Sequence, residues 1–257
     1  MRRLVWAIAG PLLLSMPWLA VSHAAATDAP AATSSSGSDY IPSDADLAAA
    51  HCVIGEEKFL PGDYYYCLGG LTYGKHSYRE SVRFFTTAAS WASKPAQYVL
   101  GVMALNGDHQ PKSRALALAW FTLAAERPDS RFKTPYEQVY QASTRAERRA
   151  ADVLLEKMRP TYGDATAAVR AERRYVDGMK WLARMNSGGS QYCMAGLGTL
   201  DRPVTDPLGC PSMQQVVTSV DRQAATVFEG WSGHVTVGPL QPVSASELSK
   251  TNGANRP

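Results

Sequence analysis

The chain has 257 residues with 26 Lys and Arg against 23 Asp and Glu, and setting Arg2 and Arg3 aside leaves 24 against 23. A near-neutral chain lacks the basic, aromatic-bearing surface that a nucleic-acid partner calls for. Ten basic and six acidic residues fall between Arg145 and Arg184, which reads as a solvated helical face laced with i,i+4 pairs, with a weakly basic docking surface as the lesser reading.

At the start, Arg2 and Arg3 precede an apolar run at positions 4–21, closed by Ser22-His23-Ala24-Ala25-Ala26. A basic start, a short apolar core and small exit residues predict a secretory signal peptide over 1–24, cleaved after Ala24 or Ala26. Pro11, Pro17 and the lack of a further apolar stretch argue against a retained span of about 20 apolar residues. No integral membrane span is therefore expected in the mature chain. Residues 25–42, rich in Ala, Ser, Thr, Gly and Pro, read as a disordered leader. Ser43 then offers an N-cap for a short helix through Asp46, Leu47 and Ala50.

The four cysteines are Cys52, Cys67, Cys193 and Cys210, an even count suited to an oxidising compartment. Four allow three connectivities. The local pairs Cys52–Cys67 and Cys193–Cys210 are the expected ones, each contributing about 3 kcal/mol by loop closure. Zinc is the weaker reading, because no pair has C-x2-4-C spacing and no histidines cluster nearby.

An internal period occupies the next segment. Tyr66, Leu68 and Gly69 recur 32 residues later as Tyr98, Leu100 and Gly101, and Phe84-Phe85-Thr86-Thr87-Ala88-Ala89 recurs 36 later as Trp120-Phe121-Thr122-Leu123-Ala124-Ala125. The added four residues lie in a longer turn, Asp108-His109-Gln110-Pro111. A period in the thirties is the signature of stacked helical hairpins. Units are expected over about 64–92 and 95–126, the second opening after Ser93 with Pro95 in its first turn.

The run Ala96-Gln97-Tyr98-x-Leu100-Gly101-x-Met103, then Gly107, then Ala115-x-Ala117-Leu118-x-Trp120-Phe121-x-x-Ala124-Ala125-Glu126 resembles a unit of the Sel-one-like repeat family, related to tetratricopeptide repeats. The first unit departs at Arg79 and Ser81, where small residues are the pattern, and Arg127-Pro128 stands where a glycine usually follows the closing alanines. Regular stacking is expected to end there. The resemblance implies a scaffold that presents a concave helical surface to protein partners in the envelope, with no catalytic role. Tyr64, Tyr65, Tyr73 and Trp91 are the candidate partner-binding residues, since aromatics make good interface anchors. Tyr66 and Tyr98 are expected to pack between helices.

Further helices are expected over 135–185. Thr134-Pro135-Tyr136-Glu137 and Thr144-x-x-Glu147 read as capped starts, the second helix stopping at Pro160. Asp164 is expected to cap a last one, with Val169, Val176, Met179 and Leu182 as its apolar stripe, ended by Asn186-Ser187-Gly188-Gly189. Beyond, 191–200 and 234–240 read as strands around a helix carrying Met213, Val216, Val217, Val220, Ala224, Val227 and Phe228 on one face. Residues 187–243 would form a small α+β module or a cap, and 244–257 a disordered tail. The expected fold is mainly α: a short α-solenoid of helical hairpins over 43–186, with extra helices and that C-terminal module.

Catalytic patterns are weak. Gly230-Trp231-Ser232-Gly233-His234 misses G-x-S-x-G at its last position, and Ser130-Arg131-Phe132-Lys133 fits S-x-x-K without a companion K-T-G. His51, His76, His109 and His234 lack metal spacing, and His76 and His109 fall in the repeat turns. Glu56 and Glu57, as sequence neighbours, make a poor acid/base pair. No cofactor, metal or catalytic residue is expected. The leading reading is a periplasmic or secreted non-catalytic scaffold or adaptor with a protein partner, cell-wall association remaining open. An inhibitor or immunity-type protein against one toxin or hydrolase is the alternative, and a cell-wall-acting enzyme using Ser232 and His234 the lesser one.

Overall fold

A computed structural model describes residues 42–190, 192–194, 197 and 210–231, all within one compact unit. The protein is mainly helical, and no strand occurs among the described residues. The order is α1 (Asp44–Ala49), a 3-10 turn (Glu56–Lys58), α2 (Pro61–Gly74), α3 (Tyr78–Ser90), α4 (Lys94–Asn106), α5 (Arg114–Ala124), α6 (Lys133–Gln141), α7 (Arg145–Tyr162), α8 (Ala167–Ser187) and α9 (Met213–Val227).

Two hairpins, α2/α3 and α4/α5, form the centre and pack through α3 and α4, while α5 also packs on α6 and α7. The period in the sequence corresponds to one repeated contact. A Cβ on Gly69 would stand 2.5 Å from the Phe85 ring, and one on Gly101 would stand 2.8 Å from the Phe121 ring. Tyr66 tilts on Phe85 at 5.8 Å and 46°, and Tyr98 on Phe121 at 5.5 Å and 47°. Glycine at these positions lets the helices close to a distance that any side chain would block. The half-buried Tyr66 and Tyr98 thus pack against the hairpin cores, as expected.

A second core joins distant segments. Phe59 and Leu60 are buried with Tyr175, Met179 and Leu182 of α8, Met194, and Val216, Val217 and Val220 of α9. Phe59 lies against Gly178, where a Cβ would be 2.6 Å from its ring. Each full burial of such a side chain contributes about 1.5–3 kcal/mol. Cys52 and Cys67 are paired with Cα atoms 5.6 Å apart, and Cys193 and Cys210 with 4.4 Å; these are the two local pairs. Among the described residues no helix is long and apolar enough to cross a membrane.

Several local expectations change. Thr144 and Glu147 do form a reciprocal capping box on α7. Thr134, by contrast, lies inside α6: the amide of Lys133 already donates to Ser130 O, and that of Tyr136 to Phe132 O, so the helix starts before Thr134 and leaves it no cap to make. Pro160 does not stop α7, which runs to Tyr162. The carbonyl that Pro160 leaves unmatched belongs to Glu156, and both residues are exposed, so the missing bond falls on the solvent side of the helix. Thr166, not Asp164, precedes α8, and Val169 of its supposed stripe is 39% exposed while Ala171 and Tyr175 are buried. The expected strand at 191–200 has no strand at 192–194 or 197, and its other residues lie outside the described ones. The signal peptide, most of the leader, the 234–240 strand, Ser232, His234 and the tail also lie outside them.

Candidate functional site

The four aromatics singled out from sequence do not form one patch. Tyr64 and Tyr65 are half-buried neighbours in edge contact at 5.3 Å, and Tyr65 also stacks on Phe84. Trp91, half-buried, packs on the core beneath α8 with the Arg170 guanidinium over its ring. Tyr73 is the exposed one, at 36%.

Tyr73 belongs to a cluster where the turns of the two hairpins meet. His76, in the α2–α3 turn, and His109, in the α4–α5 turn, both hold left-handed backbone, at φ 62° and 51°. Few non-glycine residues tolerate this region, histidine among them, and such conformations gather at functional positions. The Tyr78 ring stacks on His109 with centroids 3.4 Å apart and planes 11° from parallel. Tyr73 meets Tyr78 edge-on at 5.2 Å and donates its hydroxyl to Asp108 Oδ2 at 2.7 Å. His76 Nδ1 lies 2.7 Å from the Tyr78 hydroxyl, and His109 Nε2 lies 3.1 Å from Asp108 Oδ1. The bond to Asp108 raises the Tyr73 hydroxyl above the usual tyrosine range. The arrangement is a hydrogen-bonded aromatic tip built from both hairpins. Sequence reasoning placed both histidines in turns but missed Tyr78 and Asp108, because the turns' meeting depends on the longer second turn.

Near the starts of α2 and α4 lies a cleft of about 440 Å³. The charged groups behind it were also missed. Lys94, first residue of α4, is 6% exposed; its ammonium donates to Leu123 O at 2.8 Å and contacts Asp164 Oδ1 at 2.9 Å and Glu126 Oε2 at 3.2 Å. Burial pushes this ammonium down, against the pull of the two carboxylates. Arg127, also 6% exposed, donates from Nε to Asp164 Oδ2 at 2.9 Å and from Nη1 to Val227 O and Glu229 O at 2.7 and 3.0 Å. The cluster thereby ties the end of α5 to the start of α8 and the end of α9. The one sequence signal was Arg127 itself, standing where the repeat pattern has a glycine.

Asp63, in the first turn of α2, lines the same cleft and accepts from Gln223 Nε2 at 2.6 Å. Burial raises Asp63, and burial together with the Asp63 and Glu57 carboxyls raises Glu56 well above the ordinary range. Among the described residues no group of three His, Cys, Asp or Glu is placed to hold a metal ion. Ser130 gives its hydroxyl to Ala124 O, and Lys133 opens α6, so neither is set up as an activated nucleophile with its base. No family model, curated protein or solved structure matches this chain.

Proposed function

We propose that the protein is an exported, non-catalytic scaffold or adaptor of the cell envelope, most simply periplasmic, that engages a protein partner through its helical hairpins. The observation that carries this reading is the aromatic tip of Tyr73, Tyr78 and His109. It offers exposed ring surface held in place by hydrogen bonds, and preorganised aromatics cost little entropy on docking. Two features of the chain agree: paired cysteines suit an oxidising compartment, and the repeated Gly–Phe contact is what a Sel-one-like, short α-solenoid arrangement requires.

The test is affinity capture from envelope extract with the mature chain, 25–257, beside a Tyr73→Ala/His109→Ala variant. A partner retained by the unaltered chain and lost by the variant supports the reading. A partner retained equally by both, or none at all, overturns the tip as its basis.

A further inference from the structure

We propose that the edge along which the turns of three helix pairs line up is a docking surface for an acidic peptide segment of a protein partner. This rests on the scaffold reading and adds the chemistry of what the aromatic tip engages.

The tip is one part of a longer edge. Tyr73 and Tyr78 join the α2–α3 turn to Asp108 and His109 of the α4–α5 turn. Arg114, which opens α5, carries the edge on to the α6–α7 turn: its Nη1 donates to Ala142 O at 3.0 Å and lies 3.8 Å from Glu147 Oε2. Lys75 and Arg79 stand on the first turn and Lys112 and Arg114 on the second. Arg145, Arg148 and Arg149 stand on the third. Over residues 73–79, 106–114 and 141–149 the acids are Asp108 and Glu147. Asp46 of α1 also reaches the edge, 3.9 Å from Lys75 Nζ, and Glu80, just beyond it, is buried with Arg83 bonded to it.

The two acids of the turns are already engaged. Asp108 accepts from Tyr73 and contacts His109, while Glu147 accepts from the Thr144 amide and hydroxyl at 2.7 and 2.9 Å. Lys112, Arg145 and Arg149 are exposed and form no ion pair among the described residues. The edge thus presents uncompensated positive charge beside exposed rings. Tyr73 lies toward one end and Tyr140, 40% exposed, toward the other, with the Arg148 guanidinium 4.0 Å over it. The opposite ends of the same helices differ, since there Lys94 and Arg127 are buried against Asp164 and Glu126.

Charge complementarity selects an acidic partner and steers its encounter. A peptide fits better than a lipid surface, because the large exposed rings here are tyrosines. Among the described residues no exposed Leu, Ile, Phe or Trp stands on the edge, and such side chains are what anchor a protein in a bilayer interface.

Fluorescence titration of the mature chain with a labelled dodecapeptide of alternating Glu and Ala tests this, beside its Gln/Ala counterpart and phosphatidylglycerol vesicles. Saturable binding is expected, at least about tenfold tighter than for the Gln/Ala peptide, and lost in Lys112→Glu/Arg149→Glu at an unchanged melting temperature. Arg173→Glu/Lys180→Glu makes the same charge change at exposed positions of α8, which packs at the other end of α2, where Phe59 meets Gly178. That variant should still bind. No saturable binding, equal binding of the Gln/Ala peptide, retention by the first variant, equal loss in the second, or stronger binding to the vesicles overturns the proposal. The scaffold reading fails separately. In envelope capture, a partner kept by Lys112→Glu/Arg149→Glu but lost by Tyr73→Ala/His109→Ala leaves the tip standing and overturns the acidic partner.

Discussion

Phe121 lies over Gly101 so closely that a single added carbon would stand 2.8 Å from its ring. The same relation between Phe85 and Gly69 makes this contact the unit of the repeated hairpin. Gly101→Leu is therefore expected to destabilise the protein by about 1–3 kcal/mol or more through overpacking. Gly70 is the control: it is exposed on the same kind of helix with nothing within 4 Å of a would-be Cβ, so Gly70→Ala should stabilise by roughly 0.5–1 kcal/mol. Thermal melting checks both, and equal midpoints for Gly101→Leu and wild type would refute the role given to the contact.

Asp164 faces two buried cations, and removing it leaves Lys94 and Arg127 without their shared carboxylate. Asp164→Ala should cost about 3–5 kcal/mol, the usual penalty for breaking a buried pair from one side. The urea midpoint is the readout, and a shift of under about 1 kcal/mol, as for an exposed pair, would contradict the account.

Glu56 gives a pH dependence of definite sign. Its folded value is raised by burial and by the Asp63 and Glu57 carboxyls, so the folded chain holds this proton more tightly than the unfolded chain, where the value is about 4.3. The stability linked to it is fully present below that pH and drains as pH rises through the folded value. Glu56→Gln should flatten the decline in stability above about pH 4.3. Asp63 is raised as well, so the slope should shrink without vanishing. An unchanged slope would sink the assignment.

The Cys52–Cys67 bridge closes a 15-residue separation. Replacing both with serine should cost about 3 kcal/mol by loop closure. Non-reducing peptide mapping should recover Cys193 joined to Cys210, and recovery of Cys52 joined to Cys193 would overturn both pairings.

Legibility in the sequence followed the range of each interaction. The hairpins were readable because the glycine recurs 32 residues on and the aromatic 36 residues on, the difference being one longer turn, and the Thr144 box because both its partners lie within one helical turn. Asp164 was misread as a helix cap for a related reason: an acidic residue before a helix is a local signal, whereas its real partners, Lys94 and Arg127, come from other elements. The tip was half legible. His76 and His109 fell in turns, but which turn would reach the other is settled only once both hairpins pack. The cleft was hidden altogether, since it needs α2, α4 and the end of α9 side by side.

Phe59 beneath Gly178 has a consequence for how the molecule comes apart. A simple stack of hairpins loses stability piecemeal, its terminal units fraying while the middle persists. Here the segment just before the first hairpin is buried in the same core as α8 and α9, so releasing either flank exposes the apolar residues of the other. Melting should accordingly be one all-or-none event. Assembly is correspondingly slower, because the loop joining these segments must close before their contacts repay it.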